Sequence, residues 1–228
     1  MERRRNQSSG FTLIEILVVV SIIGVLAGLV GVIIAKSNEK ALKTSTIQLV
    51  QAYLPAKIKD FQGQMGGRLP ASTLSGLQKM GTKVKPWKSV SMTNDINLCN
   101  EILIIQLRHP DFTNKLTDDD VQAISDPWGN LDDDTFSETP VGAKKGNEAI
   151  EVLDSWGTPV IYIHNADCDK TFLIRNFLGD DVEVSARQRP DGTFYNENGF
   201  QLISLGPDGV QGEEAISDDI QNFKMEGE

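Results

Sequence analysis

Gly10-Phe11-Thr12-Leu13-Ile14-Glu15, with the apolar run that follows it to Ala35, decides how this chain is read. From Ile16 to Ala35 there are twenty residues and no charge. At about 1.5 Å of rise per residue, a helix of that length crosses a hydrocarbon core of about 30 Å. A helix suits that setting because it satisfies its own backbone polar groups without water. Glu15 is out of place there, since an acid in an apolar span costs about 2–3 kcal/mol or more. Such a residue usually has a partner and a function. On the amino-terminal side, Arg3, Arg4 and Arg5 form a basic flank. Basic flanks tend to stay cytoplasmic, so the rest of the chain is expected on the far side. A secretory signal would carry its A-x-A-like cut after the apolar run, and no such site follows Ala35. Here the small residue, Gly10, precedes it.

A short basic leader, then Gly, then Phe-Thr-Leu-Ile-Glu resembles the class III signal of type IV pilins and type II secretion pseudopilins. An ordinary signal anchor would explain neither Gly10-Phe11 nor Glu15. The resemblance implies that prepilin peptidase cuts between Gly10 and Phe11 and methylates the new amino terminus at Phe11. It also implies that Glu15 of one subunit meets the Phe11 amine of its neighbour in a filament. Physical reasoning agrees, because a buried amine and a buried carboxylate are each costly alone and pairing offsets part of that cost. Gly24 and Gly28 form a GxxxG pair, with Gly31 one turn on. They read equally well as a close-packing face and as ordinary glycines of a membrane helix.

Past Ala35 the pattern turns polar but stays helical. Leu42, Leu49, Tyr53, Ile58 and Phe61 recur at helical spacing, which predicts an amphipathic second half packed on a globular domain. Pro55 predicts a kink or a break, and two helices divided before it are the alternative. Gly63, Gly66 and Gly67 end the pattern. Gly67-Arg68-Leu69-Pro70 and Gly76-Leu77 resemble a second stretch of the major pseudopilins. The expected division is therefore a cleaved leader 1–10, a membrane half 11–35, a periplasmic half 36–62 and a head 63–228.

Residues 83–152 fit that family less well and read as an insertion enlarging the head. Glu101 to Leu107 is apolar and fits a strand or a helix turn. Asp118-Asp119-Asp120 and Asp132-Asp133-Asp134 read as solvated loop, with a second cation site as the alternative. Two related phrases, Asp126-Pro127-Trp128-Gly129-Asn130 and Asp154-Ser155-Trp156-Gly157-Thr158-Pro159, are read as bracketing the insertion. The second copy resembles a family phrase that precedes the sheet, in which Asp and Gly build a turn and Trp covers the core. Strands are expected over Val160–His164, Phe172–Phe177 and Phe200–Leu205, with a turn at Pro190-Asp191-Gly192. One long helix and then turn-linked strands give an α+β fold with an antiparallel sheet on the helix.

The chain carries a net charge of −10; the leader contributes +2, leaving −12 on the mature protein. Such a chain is a poor grip for nucleic acid, which needs clustered Lys and Arg. About 190 residues remain after the span, enough for one domain with its own core. Cys99 and Cys168 show no metal spacing; in a periplasmic domain they have the option of pairing, and the sequence does not decide it. Metalloprotease, nucleophile-elbow and phosphate-loop signatures are absent, and His109 and His164 read as surface or strand residues.

The richest candidate site is Ser204-Leu205-Gly206-Pro207-Asp208-Gly209 with Ser217-Asp218-Asp219-Ile220. Between Asp208 and Asp219 stand Glu213, Glu214 and Asp218, with glycines to fold the loop sharply. Hard cations take six to eight oxygens from carboxylates and carbonyls, although the acid spacing is not that of an EF-hand. The stretch 204–220 resembles the calcium loop of the type II secretion major pseudopilin. That resemblance implies Ca2+ held by the side chains of Asp208, Asp219 and Asp218 and the carbonyl of Leu205.

The expected function is a non-enzymatic subunit of a type II secretion pseudopilus. Such a subunit is anchored once in the bacterial inner membrane with its head in the periplasm. It partners with other pseudopilins, the inner-membrane assembly platform and prepilin peptidase. A type IV pilin or minor pilin for adhesion, motility or DNA uptake is the near alternative. A membrane-anchored enzyme or sugar-binding module is the distant one, and a cleft in 83–152 would favour it.

Overall fold

The computed structural model describes residues 13–80, 87, 89–119, 127–212 and 218–225. Gly10 and Phe11, with the leader, lie outside the described residues. The chain divides into two compact units, Met1–Ala41 and Leu42–Glu228. Helix α1 runs Leu13–Ile47. The described large apolar side chains of the first unit are exposed, from Leu13 and Ile14 to Ile33 and Ile34. By length and composition the helix is able to cross a membrane. A row of Ile, Val and Leu this long is not left in water. The Ser21 hydroxyl donates to the Leu17 carbonyl at 2.7 Å, so its polar group is met within the helix.

In the second unit the helix passes through a π-helical segment, Gln48–Tyr53, into α2, Leu54–Gln64. Pro55 thus neither breaks nor ends the helix. Proline lacks an N–H and crowds the carbonyl four residues back. A widened turn relieves both, and the Leu54 N–H donates to the carbonyl of Leu49, five residues back. The wider turn also changes the buried face. Leu49, Val50, Leu54, Ile58 and Phe61 are all buried, whereas Leu42 and Tyr53 are only half-buried. Gly66 and Gly67 close the helix with positive φ of 65° and 88°.

After the short α3, Leu74–Met80, helix α4 spans Leu98–Leu107, with Cys99–Leu107 buried. Its polar side chains fasten it. Asn100 accepts from the Val152 N–H at 2.8 Å and donates to the carbonyls of Val152 and Val160. Gln106 exchanges two hydrogen bonds with the backbone of Ala71, at 2.9 and 3.0 Å. Ile102–Ile105 and Leu107 share one core with Leu49, Leu54 and Ile58. The 83–152 stretch therefore contributes a helix to the centre of the head.

Strands β1, Trp128–Gly129, and β2, Glu151–Val152, pair antiparallel. Strands β3, Ile161–His164, β6, Phe200–Ser204, and β7, Ile220–Gln221, form an antiparallel sheet in the order β3-β6-β7. Strands β4, Thr171–Arg175, and β5, Asp181–Ser185, form a hairpin. Alternation along β3 and β6 serves two cores. Tyr162, Phe200 and Leu202 join the helix core, while Ile161, Ile163 and Ile203 join a second cluster with Phe172, Ile174 and Val184. Cys99 and Cys168 both lie in that second cluster but are not disulfide-bonded. The architecture is α+β: a long amino-terminal apolar helix and a carboxy-terminal set of antiparallel sheets.

Candidate functional site

Glu15 is the single ionisable residue between Leu13 and Ala35 and stands exposed in the first turn of α1. An acid is favoured there by the positive end of the helix dipole.

The carboxy-terminal loop is built on β6. Gly206–Asp208 forms one 3-10 turn, with Gly206 and Gly209 at φ of 68° and 69°. A side chain at Gly206 would collide with the Asp218 carbonyl, 2.8 Å from the added carbon. The returning strand thus crosses directly over the first turn. Asp208 accepts from the Val210 N–H at 3.0 Å. Burial, and then the charge of Asp208, hold the Asp218 carboxyl above its ordinary range, with Lys43 acting the other way. Asp208 and Asp218 are therefore brought together, beside the buried Leu205. Asp219 is used differently. Its fully buried carboxylate accepts from the Arg187 guanidinium, itself 10% exposed. Glu213 and Glu214 lie outside the described residues.

Asp154, from the phrase before β3, supports this loop. It accepts from the N–H groups of Trp156 and Thr158 at 2.9 and 3.0 Å and from the Ser204 hydroxyl at 2.6 Å. Trp156 packs half-buried against the core, as the turn-and-cover reading expects.

Two expectations need correction. His109 is not a surface residue. It is 3% exposed, edge-on to Trp87 and tilted against Phe112, and burial lowers its pKa. Nor is Asp132-Asp133-Asp134 solvated throughout: Asp133 is exposed and Asp132 half-buried, but Asp134 is not at the surface. Asp134 is 2% exposed, because the loop folds inward under a clasp from Asn130. The Asn130 side chain accepts from the Asp134 N–H at 3.1 Å and donates to its carbonyl at 2.9 Å. Asp134 thereby meets Glu101 of α4, and the charge of Glu151 of β2 also acts on Glu101; both glutamates are fully buried. Burial pushes Glu151 up to about 7; burial and then the Asp132 charge push Asp134 up to about 7. Burial, with Asp134, Glu151 and Asp132 nearby, holds Glu101 well above the usual carboxylate range. The first acidic run does remain at the surface where described. Asp118 is half-exposed and paired with Arg108 and Lys144 at 2.8 and 3.0 Å.

Residues 5–31 match the family model of the prokaryotic N-terminal methylation motif. The match indicates a type IV pilin-like, prepilin-type amino terminus, and such a signal implies prepilin peptidase processing and filament assembly in general. No curated protein and no solved structure matches the chain.

Proposed function

We propose that this chain is a structural subunit of a type II secretion pseudopilus. It is anchored once in the bacterial inner membrane, with its head in the periplasm. The observation that carries the reading is the methylation motif over residues 5–31, placed at the start of a helix whose apolar half is exposed along its length. Cutting between Gly10 and Phe11 leaves an amine on Phe11, four residues before Glu15. In a filament, Glu15 of one subunit meets the methylated Phe11 amine of the next, and the exposed apolar helices bury one another. Other pseudopilins and the inner-membrane assembly platform are the expected partners, and the subunit carries no reaction of its own.

The carboxy-terminal loop supports the pseudopilin form of this reading. Asp208 and Asp218 crowd like charge beside a close crossing at Gly206, which suits a Ca2+ ion held with the Leu205 carbonyl. Asp219 is taken by Arg187, and its role is to brace the loop from behind. A strain lacking this chain should retain folded cargo proteins in the periplasm while making normal surface pili. Loss of surface pili with intact secretion would assign it to the type IV pilins instead.

A further inference from the structure

We propose that Glu101, Asp132 and Asp134 form a binding site for one divalent cation of calcium's class, inside the head and separate from the carboxy-terminal loop. One carboxylate oxygen from each of the three lies within 4.8 Å of the others. Glu101 is fully buried and Asp134 is 2% exposed. Neither oxygen of Glu101 and neither oxygen of Asp134 accepts a hydrogen bond from a donor among the described residues. Buried carboxylates without donors are costly, and a cation is what such a group lacks.

The chemistry of the donor set names the class of ion. Carboxylates alone suit hard cations, whereas nitrogen and sulfur ligands mark zinc or copper. Calcium–oxygen distances of about 2.3–2.6 Å put oxygens on opposite sides of the ion about 4.6–5.2 Å apart. The observed spread fits within that span. Glu151 adds a fourth negative charge beside the three. Its Oε1 is held by the Asn97 side chain at 2.8 Å and the Leu131 N–H at 3.2 Å, and its Oε2 accepts nothing among the described residues. Arg175 acts on Asp132 electrostatically, but its guanidinium is gripped by Asp181 at 2.7 and 3.0 Å.

Separate elements fix the arrangement before any ion arrives. Glu101 stands in the first turns of α4, behind Asn97 in the left-handed conformation at φ 57°. Asn97 also accepts from the Arg175 N–H at 2.8 Å, which ties the start of α4 to β4. Asn130 clasps the loop bearing Asp132 and Asp134. Glu101 and Asp134 are placed to share one proton. One proton removes one negative charge of the group, and a divalent ion removes two.

The filament reading is independent of this site, and a single test addresses it. The full chain in detergent, carrying Asp208→Asn and Asp218→Asn to silence the loop, is titrated calorimetrically with CaCl2. One equivalent of calcium per chain should bind. Adding Glu101→Gln, which keeps shape and removes charge, should weaken binding at least tenfold and abolish the calcium-dependent rise in Tm. The same variant should melt no lower than its parent in chelator, since the Gln amide is able to donate to Asp134 as a protonated Glu101 would. No calcium bound at millimolar concentration, as a shared proton alone would give, overturns the site. So does binding or a calcium-dependent Tm rise that Glu101→Gln and Asp134→Asn both leave unchanged.

Discussion

Glu15 and Glu101 are the same anomaly in two settings: one acid inside an otherwise apolar helical stretch. Around Glu15 the described apolar side chains are exposed. Around Glu101 they are buried, and the neighbours are other acids of the same chain. In the proposed filament the first is completed from outside, by lipid and by further subunits. In the proposed cation site the second is completed from inside the head, by an ion that neutralises the acids around it. An acid in an apolar helix thus marks a site, and the burial of its surroundings tells whether that site suits another chain or a small ion.

The largest effect should come from removing the outward-facing acid. Glu15→Val should insert normally yet abolish filament formation, and Glu15→Asp should fall between, with the carboxylate kept on a shorter reach. Electron microscopy and sedimentation of membrane extracts read the outcome. Filaments at wild-type yield with Val in place would erase the contrast with Glu101, whose amide variant should assemble normally.

Next in size are the acids of the carboxy-terminal loop, which separate by partner. Asp219→Ala removes the carboxylate that pairs with the buried Arg187 guanidinium and should cost about 3–5 kcal/mol, with or without calcium. Asp208→Ala should leave stability in chelator nearly unchanged and remove only the calcium-dependent gain. That gain is about 2.7 kcal/mol at a hundredfold excess of ion over Kd. Urea unfolding of the full chain in detergent, with calcium and with chelator, separates the two patterns. Equal losses for both variants in chelator would remove the distinction between brace and ligand.

The smallest effect is a pH slope. Asp134 and Glu151 are each pushed up to about 7 in the folded chain. A raised acid pKa means that the folded state holds its proton longer than the unfolded chain does. Their contribution in chelator is therefore lost as pH rises from about 4 to about 7, and it is level above that. His109 and His164, lowered by burial, act oppositely below about 6.5 but are common to wild type and variant. Asp134→Asn should flatten the fall, and an unchanged slope would mean that Asp134 ionises as it does in water.

Much of the architecture was legible because its signals are local. The apolar run, Gly10-Phe11 and Glu15 need no tertiary context, and β-branched residues at Ile161–His164 and Phe200–Ser204 mark their strands directly. The passage through Pro55 was not legible, because a π segment depends on how the helix beds against α4 and the sheet. Strand β5 was missed, since Asp181-Val182-Glu183-Val184-Ser185 buries only Val184 and takes its register from β4. The buried acid group was hidden by distance in sequence. Glu101, Asp134 and Glu151 sit on a helix, a loop and a strand, and each acidic run alone looks like solvent-facing chain. The one local clue was Glu101 itself, set in the apolar stretch Leu98–Leu107.

The central claim is that this chain is a prepilin-type subunit, and its mature amino terminus tests it most directly. Mass spectrometry of the membrane-extracted protein should find a chain that begins at N-methylated Phe11. In a Gly10→Val variant the leader should remain, because the peptidase no longer finds a residue without a side chain at the cut. A functional, filament-borne chain that still begins at Met1 would contradict the account.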